Sequence, residues 1–130
     1  MNELLLDTNV LIDYLRNIPE AVKYLEDVKD SITISAMTVA ELHAGARDND
    51  EKLVLREFTS AFTVIPANAV ICEMGGDFRS QYGPSHGVDL IDGILAATAI
   101  INKVPIVTLN KKHFPMIEGQ DMIVPYHRRS

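Results

Sequence analysis

Three acidic residues far apart in the chain, Asp7, Glu41 and Asp92, with Asp89 beside the last, are the side chains whose types and placing could do chemistry. Taken singly, each has a structural explanation. Asp7 stands just before a helix beginning near Thr8, and Asp is a favoured N-cap. Thr38-Val39-Ala40-Glu41 matches a capping box, with Glu41 reaching back to the backbone of Thr38. Asp89 is placed to cap the helix that starts at Leu90. Asp92 is harder to account for, because it opens a helix whose later residues are nearly all apolar. The helix dipole favours an acid in that turn, yet a charge on such a helix is seldom buried without a partner.

The elements that must position these residues follow from the hydrophobic pattern. Glu3 to Leu6 is an apolar run ending at Asp7 and reads as a buried strand. Val10, Leu11, Tyr14 and Leu15 recur at helical spacing, and Pro19 opens a second helix through about Val28. Ser31 to Ser35, Thr63 to Ile65, Ile106 to Leu109 and Met122 to Val124 read as further strands. Between them the pattern predicts helices over Thr38 to Ala46, Lys52 to Phe62 and Asn68 to about Tyr82. A breaker at Gly83-Pro84-Ser85-His86-Gly87 precedes an apolar core helix from Leu90 to Ile101. Strands alternating with helices imply a parallel sheet covered on both faces.

In such a sheet, ligands bind beyond the carboxyl ends of the strands, where strand order reverses. Asp7, Glu41 and Asp92 should all reach that edge, and Asn110 lies just past the fourth strand. Uncompensated carboxylates gathered there would repel one another, and a divalent cation removes that cost. Magnesium suits the set, since it takes hard oxygen ligands, keeps several waters and uses few carboxylates; manganese fits the same oxygens. Water bound to such an ion becomes acidic enough to attack a phosphodiester.

Composition sets the outer limits. The 130 residues fit one domain, 1–130, with a single sizeable core. A net charge of −6 excludes coating nucleic acid by bulk electrostatics, though not binding it through metal, and it points to a basic partner. No apolar run is long enough for a membrane span, and Met1 to Leu6 lacks the features of a signal peptide, so no membrane association and a cytoplasmic location are expected. The single cysteine, Cys72, excludes an internal disulfide and reads as a buried small hydrophobe.

Four segments carry a resemblance. Leu4-Leu5-Leu6-Asp7-Thr8-Asn9-Val10-Leu11-Ile12 resembles the opening strand-turn-helix of PIN-domain proteins, and Thr38-Val39-Ala40-Glu41-Leu42 resembles their second motif. Asp92-Gly93-Ile94-Leu95-Ala96-Ala97-Thr98-Ala99 resembles the third, and Val107-Thr108-Leu109-Asn110-Lys111-Lys112-His113-Phe114 the fourth. Within that family the short chain looks like VapC-type toxins of toxin–antitoxin pairs.

The resemblance implies an α/β fold, a three-layer α/β/α sandwich around a five-stranded parallel sheet, and Mg²⁺- or Mn²⁺-dependent endoribonuclease activity on tRNA or rRNA. It also implies a homodimer inhibited by a VapB-like antitoxin that inserts a segment into the active-site groove. Asp7, Glu41 and Asp92 match the acidic metal-site positions. Asn110 stands where many relatives carry Asp, which puts a second strong metal site in doubt, and Asp89 is a candidate substitute.

Thr8, Asn9 and Thr108 could hydrogen-bond to the acidic site, or simply serve the local turns and strand end. Lys111, Lys112 and Arg16 could contact phosphate, with a solvated surface as the default; the Arg128-Arg129 pair reads as a solvated tail. His43, His86, His113 and His127 default to surface or loop roles.

Other functions remain to be separated. A haloacid-dehalogenase-type phosphatase needs a second Asp two residues after the first, where Asn9 stands. A receiver-like domain needs Asp at the end of the third strand, where Ile65-Pro66-Ala67 stands. A degenerate PIN domain acting as an RNA- or protein-binding module keeps the fold without the catalysis.

Overall fold

The computed structural model describes residues 3–127. Its strands are β1 (Leu4–Leu6), β2 (Ile32–Ser35), β3 (Thr63–Ile65), β4 (Ile106–Val107) and β5 (Met122–Ile123). All pair in parallel, in the order β3-β2-β1-β4-β5. Strand order therefore runs one way from β1 to β3 and the other way from β4 to β5. The reversal falls at β1, and Asp7 follows its last residue.

Among the described residues six α-helices cover the sheet: α1 (Thr8–Leu15), α2 (Pro19–Val28), α3 (Ala36–Ala44), α4 (Asn49–Ser60), α5 (Ala69–His86) and α6 (Leu90–Asn102). Successive strand residues point to opposite faces, and the two halves of the core divide accordingly. Leu6 and Val107 pack with Val10, Leu11, Leu25, Leu42 and Leu55 from the first four helices. Their neighbours Leu5 and Ile106 pack on the other face with Leu95, Ala96 and Ala99 of α6 and with Phe114 and Ile117. The result is the expected three-layer α/β/α sandwich. Among the described residues no helix is long and apolar enough to cross a membrane.

α6 is buried over Gly93–Ala99, as its composition predicts, and its partner is α5. The two helices touch backbone to backbone: a Cβ on Gly93 would stand 2.3 Å from the Gly75 carbonyl oxygen. Only glycine allows that approach, and it fixes the first turn of α6 against α5.

Several local expectations are corrected. α5 does not stop near Tyr82; it continues through Pro84 to His86. Pro84 sits in the last turn, where its missing N–H costs one bond, and the stop is set instead by Gly87. That residue adopts φ +71° and donates its N–H to the Gly83 carbonyl. α3 starts at Ala36 because Ser35, not Thr38, is its N-cap, accepting from the Met37 N–H. α4 starts at Asn49 rather than Lys52, with Asp48 capping the Glu51 N–H. Cys72 is exposed, because α5 turns Ile71 and Gly75 inward and leaves the next position outside. Arg128 and Arg129 lie outside the described residues.

Candidate active site

Asp7 is 6% exposed and clamped at both oxygens. Oδ1 accepts from the Thr8 N–H at 2.7 Å, so the N-cap reading holds. Oδ2 accepts from the buried hydroxyl of Thr108, also at 2.7 Å, across the β1–β4 junction. Thr108 is in turn surrounded by Asn9 Nδ2 at 3.4 Å and the Asn110 N–H at 3.0 Å, while Asn9 Oδ1 accepts from the Leu109 N–H. Strand pairing thus continues past its last residues as a side-chain lattice that holds Asp7 in place.

Glu41 departs from the capping-box expectation. With Ser35 capping α3, Glu41 lies beyond the first turn, and its Oε1 accepts from the Thr8 hydroxyl at 2.6 Å. The Thr38 hydroxyl stands 3.2 Å from the same Thr8 oxygen. Glu41 therefore leans towards Asp7 rather than back along its own helix.

Asp89 caps α6, accepting from the Asp92 N–H at 2.8 Å. Asp92 is half-buried, and its Oδ2 lies 2.5 Å from His113 Nδ1. That ring nitrogen is also 2.7 Å from Asn110 Nδ2, while Asn110 Oδ1 accepts weakly from the Lys112 N–H. His113 lies on a loop, within the surface or loop role expected of it, but it does more there, linking Asp92 to Asn110. The signal available in the sequence was its position three residues after Asn110 in the loop following β4. Asn110 itself is committed to that loop. His43 and His86 contact none of the four carboxylates among the described hydrogen bonds.

These carboxylates share one electrostatic neighbourhood. Burial pushes Asp7 up to about 6, opposed by its two hydrogen bonds, and the charges of Asp92 and Glu41 push it further. Burial raises Glu41 as well, with Asp89 and Asp92 adding to it and the Thr8 hydroxyl opposing. Burial raises Asp92, Asp89 adds to that, and His113 opposes it. Groups that make one another harder to ionise are matched to a cation. The donors are hard oxygens, suited to magnesium or manganese and not to softer ions. Among the described residues no group of three or more His, Cys, Asp or Glu side chains is drawn together closely enough to hold a metal ion.

Two depressions mark this side of the described surface, one of which includes Glu41. One, of about 820 Å³, lies between α1, α3 and α4; Ile12, Leu15, Leu42 and Val54 line it, Arg16 and Arg47 flank it, and Glu41 is on its rim. The other, of about 480 Å³, lies between the end of α5 and the loop after β4.

Residues 4–118 match the family described as PIN domain. Ribonuclease VapC10 of Mycobacterium tuberculosis is 37% identical over 130 aligned residues, covering 96% of this chain and 97% of its own. Ribonuclease VapC19 of the same species is 35% identical over 126 residues, covering 94% and 98%. A solved toxin-antitoxin complex from Klebsiella pneumoniae contains a chain that superimposes with a TM-score of 0.81 at 30% identity, covering 97% of this chain and all of that one.

Proposed function

Because this chain belongs to the PIN-domain family, we propose that it is a divalent-metal-dependent endoribonuclease, a toxin of the VapC type acting in the cytoplasm on tRNA or rRNA. The observation that carries the reading is the gathering of Asp7, Glu41 and Asp92 around the reversal point of the sheet, with Thr8 bonded to both Asp7 and Glu41 and each of the three carboxyls made harder to ionise chiefly by burial. Asp7, Glu41 and Asp92 would hold Mg²⁺ or Mn²⁺. When bound, such an ion acidifies water and offsets charge on the phosphate.

The chain's own residues do the rest. Thr8 and Thr108 keep Asp7 and Glu41 aimed at a common point, and His113 positions Asp92. Asp89 adds negative charge nearby while capping α6. RNA cleavage is expected with Mg²⁺ or Mn²⁺ and not with a chelator, and Asp92→Asn is expected to reduce it by a factor on the order of 10². No cleavage of structured RNA by the wild type with any divalent ion would overturn the enzyme reading.

As a positioning residue, His113 gives a separate prediction. His113→Ala should weaken Mg²⁺ binding, read by calorimetry, by about 10-fold or more. His113→Asn, which can still donate to Asp92, should recover part of it. Equal affinity in all three proteins would remove His113 from the site.

The partner belongs to the same reading. The apolar groove along α1, α3 and α4, rimmed by charges of both signs, suits an amphipathic antitoxin segment docked beside Glu41. Residues 1–130 would act as one domain, assembled as a homodimer, and light scattering of the purified chain checks the latter. A second reading, a catalytically weakened PIN domain that binds RNA or protein, is favoured by one observation. Asn110 spends its amide on His113 and Lys112 instead of adding a carboxylate to the site. Metal-independent RNA binding without cleavage would decide for it.

A further inference from the structure

The loop after β4 faces two ways. Asn110 and His113 turn to Asp92, whereas Lys111, Lys112, Pro115 and Met116 line the cleft of about 480 Å³, closed on its other side by Ser85 and His86 at the end of α5. Among the described residues no acidic side chain lines this cleft. In a chain of net charge −6, that makes it a local concentration of positive charge. Neither lysine is in an ion pair among the described residues; Lys111 Nζ meets only His127 Nδ1, at 3.1 Å. The Ser85 hydroxyl fastens the His86 ring at Nδ1, 2.7 Å away. One residue of this loop lies between the end of α5 and the carboxylates. His113 touches Asp92 directly, and its Nε2 would lie 3.6 Å from a Cβ placed on Gly87, the residue following His86.

An RNA strand with its scissile phosphate at the carboxylates must send its next nucleotides along one side of the site. The groove beyond Glu41 sets Arg16 and Arg47 against Glu41, Asp48, Asp50 and Glu51, a net negative lining that repels a phosphate chain. The cleft at the end of α5 offers two ammonium groups outside any described ion pair, beside the apolar side chains of Pro115 and Met116, the combination that holds a backbone phosphate with its sugar and base against the protein. The geometry points to this cleft as the binding site for the single-stranded RNA segment flanking the cleaved bond, with Lys111 and Lys112 each neutralising a phosphate. The assignment rests on the ribonuclease reading for its substrate, and on the cleft alone for its location.

The test measures binding apart from cleavage. Full-length protein carrying Asp7→Asn is titrated with a short fluorescent single-stranded RNA in Mg²⁺ over a range of salt, with thermal melting to confirm the fold. Each phosphate contact on a single strand contributes about 0.7 to the slope of log affinity against log salt. Lys111→Ala with Lys112→Ala should therefore lower the slope by about 1.4 and weaken binding at low salt by roughly 10-fold, with each single substitution near half that slope change. Lys23→Ala, an exposed lysine paired with Asp27 on α2, serves as the control.

If the double substitution changes no more than Lys23→Ala does, the inference falls. It falls equally if polyglutamate binds as tightly as RNA and depends on the same lysines, since the cleft would then belong to an acidic protein. Lysine-dependent RNA binding in a protein whose wild type cleaves nothing would keep the cleft and remove the enzyme reading. Cleavage with lysine-independent binding would do the reverse.

Discussion

Replacing Asp7 by Asn is expected to make the metal-free protein more stable at pH 8 while lowering RNA cleavage by a factor on the order of 10² or more. The two effects have one source. In the native state the Asp7 carboxyl keeps its proton up to about pH 6, against 3.8 ordinarily, chiefly because it is buried. Between those values the native state binds more protons than the unfolded state, so stability falls as pH rises through the interval. A shift of about two units corresponds to roughly 3 kcal/mol at most. Asn removes that cost at the loss of one hydrogen bond. Its amide oxygen still accepts from the Thr8 N–H, but Thr108 Oγ already faces the Asn9 amide and the Asn110 N–H and has no room for a further donor.

Set against about 1 kcal/mol for the lost bond, a gain of about 1–2 kcal/mol at pH 8 is expected, turning to a small loss near pH 4. Denaturant melts of both proteins over pH 4–8, without divalent ions, provide the check. Added Mg²⁺ should raise the wild-type melting temperature and leave that of Asp7→Asn nearly unchanged. A substitution that destabilises equally at every pH would show that Asp7 is held by its hydrogen bonds as an ordinary cap.

The second large effect separates two adjacent glycines of α5. On Gly75 a Cβ would meet the backbone of Ile94 at 2.7–2.8 Å, whereas on Gly76 it would meet nothing within 4 Å. Alanine is the better helix former by about 1 kcal/mol, so Gly76→Ala should stabilise by roughly 0.5–1 kcal/mol. At Gly75 the same methyl must force α5 and α6 apart, and over-packing of this kind costs about 1–3 kcal/mol. The contact lies next to Gly93 and Asp92, so Gly75→Ala should also reduce cleavage, and Gly76→Ala should not. Thermal melts and cleavage assays of the two variants side by side would show it; equal stabilisation by both would mean the helices are not in hard contact.

Much of this arrangement is legible in the chain. Short apolar runs alternating with helical periodicity leave few options besides a parallel sheet, and the all-apolar stretch after Asp92 had to be interior. The acidic residues are legible in part for the same reason: Asp7 falls at the carboxyl end of a strand, and Asp89 and Asp92 at the start of the apolar helix. What escaped depends on exact direction and not on type. Glu41 and Thr38 have the spacing of a capping box, but Ser35 takes the cap and releases Glu41 to the site. Val70, Ile71 and Cys72 are all apolar, and only packing on α6 decides that Ile71 turns inward. His113 reaches Asp92 by the path of a loop, and loops have no periodicity to read.

The bond between Thr108 and Asp7 joins residues 101 positions apart, and this gives the protein a timing property. During synthesis β1 emerges first but lies in the middle of the sheet, with β4 on one side of it. At about 5–20 residues per second, the strand waits roughly 5–20 s before its partner exists. Until then Asp7 lacks its clamp, His113 has not been made, and the buried edge of β1 is bare. A nascent chain is thus inert towards its substrate until its last quarter is complete, and a chain cut short before β4 would be lost to aggregation or proteolysis without ever becoming an enzyme.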